Sequence, residues 1–125
     1  MSEAGPPRLV DVTGLREAID NFARERDWAQ FHSPKNLAMA LAGEVGELVE
    51  IFQWLSEDAS YAVAREAASA RPVRDELADV LIYLVRLADR LDVDLDEAVR
   101  TKLRVNAERY PVDKARGVAL RASEL

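Results

Sequence analysis

The sequence predicts an all-α fold: a four-helix bundle with a short extra helix between the second and fourth helices. Three observations carry that expectation. Apolar residues recur three and four positions apart over long stretches, the spacing of one helix face. Ala, Leu, Val, Glu and Arg dominate, with only 5 Gly, 5 Pro and 6 % aromatic residues in 125, a usage that favours helices over sheets. Polar capping residues also stand where the periodic stretches begin.

Taken in order, residues 1–11 read as a flexible N-terminus. Asp11 and Thr13 then offer N-cap oxygens to a first helix carrying Leu15, Ala18, Ile19, Phe22 and Ala23 on one face and ending near Trp28. Ser33-Pro34 starts the second helix, a capping hydroxyl followed by a proline whose missing N–H costs nothing at the first helical position; it runs to about Leu55. Residues 56–71 are Ala- and Ser-rich and read as a linker holding one short helix from about Ser60. Pro72 opens the fourth helix, which continues to about Leu91 with Val73, Leu77, Val80, Leu84, Leu87 and Leu91 as its main stripe. Asp94, with Glu97 three residues on, resembles a capping box for the fifth helix, which Pro111 closes. Residues 112–125 read as a C-terminal tail. No repeat, low-complexity tract or domain boundary interrupts the chain, so 1–125 is expected to be one domain.

Composition excludes several functions. The formal net charge is −6, which argues against nucleic-acid binding. No apolar run approaches the length of a membrane span and no secretory leader opens the chain, so a cytoplasmic protein without a membrane partner is expected. With zero Cys and one His, thiolate zinc sites, cysteine nucleophiles and multi-histidine metal sites within one chain are ruled out. There is no Walker motif and no G-x-G-x-x-G; Gly43 and Gly46 lie mid-helix and suggest close approach of another helix.

The informative residues are acidic ones in apolar places. Each residue advances about 100° around a helix. With Leu37 at zero, Leu41, Leu48, Ile51 and Leu55 fall within about 40° of it, and Glu44 falls among them at about −20°. Glu47 borders that stripe, while Glu50 points away. On the fourth helix, Glu76, Asp79, Tyr83, Arg86 and Arg90 compress into one polar strip, with Glu76 and Asp79 a turn apart like Glu44 and Glu47. On the fifth helix, Lys102, Asn106 and Arg109 share a face with Leu95 and Val99, turning a cation inward. An unpaired ionised carboxylate in an apolar interior costs several kcal/mol or more. Protonation, pairing with Arg and coordination of a divalent cation are the remedies, and only coordination serves four carboxylates from two helices. An all-oxygen ligand set selects a hard ion, Mg²⁺ first and Mn²⁺ second. The metal-ligand set expected is Glu44, Glu47, Glu76 and Asp79. The competing reading, ordinary exposed charges at i,i+3 spacing, is outweighed by Glu44's place within the stripe.

At Gly43-Glu44-Val45-Gly46-Glu47-Leu48 and Glu76-Leu77-Ala78-Asp79-Val80-Leu81-Ile82-Tyr83 the chain resembles the all-α nucleoside triphosphate pyrophosphatases of the MazG-like superfamily, whose hallmark is Glu-x-x-Glu followed by Glu-x-x-Asp. The likeness runs from about Leu15 to Arg116. Glu25-Arg26-Asp27-Trp28 with Gln30-Phe31-His32, Ile51-Phe52-Gln53-Trp54, and Asn106 with Arg109-Tyr110-Pro111 bring it nearest to the dCTP pyrophosphatase branch. The resemblance implies Mg²⁺-dependent cleavage of dCTP or a modified dCTP to the monophosphate and pyrophosphate, a housecleaning of the nucleotide pool. It implies that Lys102, with Arg109 behind it, stabilises charge on the leaving pyrophosphate, and that Trp28, Gln30, Phe31, His32, Trp54 and Tyr83 form the nucleoside pocket, with Asn106 and Arg109 also on the substrate. The broad apolar girth of the fourth helix predicts self-association through helices 2 and 4, and the resemblance further implies a homotetramer, a dimer of dimers. One position departs: the dCTP enzymes carry a substrate-contacting His where this chain has Ile19, which can neither donate nor accept a hydrogen bond, so the preferred base is open. The alternative is a catalytically silent helical oligomer that binds a nucleotide or a protein.

Overall fold

The computed structural model describes residues 7–125, and among them the only regular structure is helical, with four long helices. The chain divides into two compact units, residues 12–92 and a second made of the N-terminal segment with 93–125. Residues 1–6 of the expected flexible N-terminus lie outside the described residues.

In the larger unit, α1 (Thr13–Glu25) buries Ile19 and Ala23, one turn apart. Its N-cap is Val12 rather than Asp11 or Thr13. It also ends three residues short of Trp28, because Asp27 adopts a left-handed backbone (φ 53°) and the N–H groups of Asp27 and Trp28 turn back to the carbonyls of Arg24 and Ala23, 3.1 and 2.8 Å away. That is the Schellman closure, made here on an aspartate where glycine is usual. A 3₁₀ turn, Ala29–Phe31, follows. The Ser33 hydroxyl then accepts the Asn36 N–H at 3.1 Å and opens α2 (Pro34–Phe52) as its sequence requires. Ser56, extended at ψ 162°, ends the connection after α2 and caps α3 (Glu57–Ser60), so the short extra helix finishes at Ser60 instead of starting there.

The fourth helix begins earlier than Pro72 suggests. α4 (Ala67–Arg90) holds Pro72 inside it; Ala67, Ala68 and Ala70 are strong helix formers, and a proline in the second turn sacrifices one backbone hydrogen bond without stopping the helix. α2 lies along α4, and α1 also packs on α4. Glu44 meets Glu76 while His32, just before α2, meets Arg86, so α2 and α4 run antiparallel. The core between these helices centres on Leu37 and Val85, both fully buried, with Ile19, Ala23, Val73 and Ala88 around them.

Two sequence expectations about packing are corrected. Of the proposed stripe on α4, Val73 is buried but Leu77, Leu84 and Leu91 are exposed, whereas Val85, Arg86 and Ala88 are buried. The face of α4 turned toward α1 and α2 therefore includes part of the polar strip. Gly43 and Gly46 make no close helix approach among the described residues, since a Cβ added at either would meet nothing within 4 Å.

In the second unit, Asp94 caps α5 (Leu95–Arg109) by accepting the Glu97 N–H at 3.2 Å. Asp96, 3 % exposed, accepts the Leu9 and Val10 N–H groups at 2.6 and 3.1 Å and pairs with Arg100 at 3.1 Å. These donors hold its carboxyl below the usual range, the Val10 N–H foremost. The tail adds α6 (Val112–Ala115) and a 3₁₀ turn, Ala122–Glu124.

Candidate metal centre

Glu44 and Glu47 stand one turn apart on α2, and α4 brings Glu76 against them. One carboxylate oxygen from each lies within 4.8 Å of the other two. Glu44 and Glu76 are half-buried and Glu47 is exposed, so the set opens to solvent on the Glu47 side. Glu44 Oε2 and Glu76 Oε2 are buried without a hydrogen-bond partner. Such orphaned acceptors are uncommon in folded proteins and call for an unseen donor or cation. No Arg or Lys among the described residues pairs with any of the three, which removes one of the remedies for clustered acid. What remains is a proton or a cation. The Glu76 carboxyl is pushed up to about 7 from its ordinary 4.5, first by the neighbouring Glu44 carboxyl, then by burial, then by Glu47; without a cation the cluster keeps a proton near neutrality. Three oxygen donors, two of them orphaned, fit a hard divalent ion.

Asp79 is half-buried one turn further along α4 and stands outside the group of three. Tyr83 follows on the same strip, also half-buried. Trp28, Gln30, Phe31 and His32 gather in the turn between α1 and α2. Trp28 meets the Phe22 ring edge-on at 5.6 Å, and the Arg26 guanidinium covers Phe22 at 3.6 Å. The Gln30 amide donates to the Asp27 carbonyl at 2.9 Å and to its carboxylate at 3.1 Å. Phe31 is largely exposed. Trp54, 89 % exposed, follows the opposite end of α2, whose 19 residues span about 28 Å, so the structure does not bring Trp54 to the turn that holds His32. Lys102, Asn106 and Arg109 share one face of α5 in the second unit, Asn106 half-buried and the two cations exposed; the Arg109 guanidinium lies 6.0 Å from the Tyr110 ring.

Arg86 and Asp20 were not legible as site residues. Arg86 is 2 % exposed; its Nε–H donates to His32 Nδ1 at 3.1 Å, and its Nη1 donates to Asp20 Oδ1 at 3.1 Å and Asp89 Oδ2 at 3.5 Å. Asp20 also pairs with Arg24, and the Arg24 and Arg86 contacts hold its carboxyl below the usual range. The one available signal was Arg86's place on the α4 strip with Glu76, Asp79 and Tyr83. Asp20 gave none.

The sequence model of the MazG-like family matches residues 40–125. The chain is 48 % identical over 119 residues to dCTP pyrophosphatase 1 of Rattus norvegicus, covering 95 % of this chain and 68 % of the relative. It is 45 % identical over 119 residues to dCTP pyrophosphatase 1 of Homo sapiens, with the same two coverages. Among solved structures, a pyrophosphatase from Archaeoglobus fulgidus superposes with a TM-score of 0.75 at 37 % identity, covering 86 % of this chain and 99 % of that one.

Proposed function

From the premise that this chain belongs to the MazG-like family, we propose that it is a nucleoside triphosphate pyrophosphohydrolase that cleaves dCTP or a modified dCTP between the α and β phosphates. The products are the monophosphate and pyrophosphate, and the role is housecleaning of the cytoplasmic nucleotide pool. The observation that carries this is the convergence of Glu44, Glu47 and Glu76, two of them with buried, unpartnered oxygens. Those oxygens would hold Mg²⁺, with Mn²⁺ as a substitute. A bound divalent ion supplies charge neutralisation of the triphosphate and acidifies water for attack on phosphorus.

The chain's own residues do the rest. Asp79 adds negative charge one turn from Glu76, and a carboxylate of the set that is not fully committed accepts the proton of the attacking water. Lys102 and Arg109 act on phosphate charge, and Asn106 on the substrate, as the family resemblance implies. The strip Glu76, Asp79, Tyr83, Arg86 leads along α4 from the acidic cluster to the 28–32 turn, about 15 Å from Glu76 to Arg86 at 1.5 Å per residue. We place the phosphates at the acidic end and the nucleoside at the turn.

The active form is a homo-oligomer, a tetramer built as a dimer of dimers. On α2, Met39 and Val49 are exposed on the side opposite Leu37, with Ala42 and Gly46 between them; on α4, Leu77, Leu81 and Leu84 are exposed at helical spacing. A single α2 keeps Trp54 from its own 28–32 turn, so Trp54 would serve the nucleoside of a second copy, in keeping with the sites shared between chains that the family resemblance implies. The test is pyrophosphate release from each common NTP and dNTP with and without Mg²⁺. Expected are Mg²⁺-dependent turnover of a pyrimidine dNTP, loss of turnover in Glu44→Gln with the helical circular dichroism intact, and sedimentation as a tetramer. Turnover of no nucleotide overturns the reading.

A further inference from the structure

We propose that Arg86 is a positioning residue of the nucleoside pocket: from its buried place on α4 it holds His32 as the neutral imidazole protonated on Nε2, a fixed hydrogen-bond donor toward the bound nucleoside.

The geometry requires this tautomer. A guanidinium can only donate, so the ring nitrogen 3.1 Å from Arg86 Nε must be the acceptor, which leaves the single ring proton on Nε2. A doubly protonated ring would set N–H against N–H. Among the described residues none accepts a hydrogen bond from His32 Nε2, so that donor is left for a ligand. The backbone of the turn is clamped by the same helix: Arg90 Nε donates to the His32 carbonyl at 3.0 Å and Nη2 to the Ala29 carbonyl at 3.4 Å. α4 thus grips the turn at two carbonyls and one ring nitrogen. Arg86 can serve as a buried rigid post because Asp20 from α1 and Asp89 from its own helix balance its charge. Burial first, and then the Arg86 and Arg90 charges, hold the His32 pKa below its ordinary 6.5, in keeping with a neutral ring.

The assignment rests on the reading that the 28–32 turn receives the nucleoside. With Ile19 buried and unable to hydrogen-bond, His32 Nε2–H is a donor this chain offers to an acceptor atom of the base or sugar. A donor held in one tautomer by a buried guanidinium presents the same proton to such an acceptor, and a nucleoside lacking it leaves the donor unpaired.

His32 is the chain's only histidine, so a long-range ¹H–¹⁵N spectrum of the full chain contains one imidazole. At pH 7.5 the wild type is expected to show the Nε2–H tautomer alone, with Nδ1 unprotonated. Arg86→Lys keeps the charge beside Asp20 and Asp89 but loses the planar fork. It is expected to give a mixed tautomer signature and to raise KM for dCTP about three- to tenfold, the loss of one well-placed neutral hydrogen bond, with kcat and Mg²⁺ affinity within about twofold. Should Arg86→Lys fail to fold, His32→Phe supplies the same KM-against-kcat comparison. An Nδ1–H or charged imidazole in the wild type overturns the tautomer assignment. A tautomer that shifts in Arg86→Lys beside an unchanged KM overturns the role toward the nucleoside. Absence of turnover in a wild type whose tautomer is fixed overturns the pyrophosphohydrolase reading and leaves the Arg86–His32 lock standing.

Discussion

If Glu44, Glu47 and Glu76 hold a divalent cation, binding that cation has to release a proton. Without it, Glu44, burial and Glu47 push the Glu76 carboxyl up to about 7, and the proton belongs to the cluster as a whole. At pH 6.5 a group of that pKa is about three-quarters protonated, and at pH 8 about one-tenth. A cation competes for the same oxygens, so Mg²⁺ binding should expel about 0.8 proton at pH 6.5 and about 0.1 at pH 8, and the apparent affinity should rise about fourfold between them. Calorimetric titration of the metal-free protein with Mg²⁺, in two buffers of different ionisation enthalpy, reads the proton count directly. Glu76→Gln removes the titrating group and should bind more weakly with no proton release at either pH. Mg²⁺ binding at pH 6.5 without proton release, or with the same release in Glu76→Gln, would refute the reasoning.

Three further outcomes follow from the same structure. Because the folded-state pKa of Glu76 lies above the unfolded value, its contribution to stability is complete below about pH 4.5 and is lost as pH rises through about 7; the metal-free melting temperature, taken as wild type minus Glu76→Gln, should fall across that window, and a rise would contradict it. Leu37 is 2 % exposed between α2 and α4, so Leu37→Ala should cost about 3 kcal/mol in urea unfolding, and a loss below 1 kcal/mol would mean that the helices do not meet there. Ser33→Ala removes the cap on the Asn36 N–H and should cost about 1 kcal/mol, read as a lower melting temperature; no change would deny the cap its role.

The parts of this structure written in short stretches of chain were legible. Ser33-Pro34 and Asp94 open their helices because a capping oxygen and the orphan N–H groups it satisfies lie within three residues. Glu44 was legible by angle alone, since an acid within a leucine stripe demands a partner wherever the partner comes from. The end of α1 before Asp27 was not, because it is closed by an aspartate in a left-handed conformation that carries no glycine signal. Pro72 misled because a start signal and an interior second-turn position look alike in sequence. Arg86 was hardest to place: its burial depends on Asp20, 66 positions away on another helix, and on a histidine that itself waits for the turn to form. Gly43 and Gly46 suggested a close helix approach, but a Cβ at either position meets nothing within 4 Å among the described residues.

The most direct measurement is anomalous diffraction from crystals grown with Mn²⁺ in place of Mg²⁺. The account expects a manganese peak bounded by the carboxylates of Glu44, Glu47 and Glu76 in the wild type and no peak in Glu44→Gln. Carboxylates turned apart into solvent with no peak among them would contradict it.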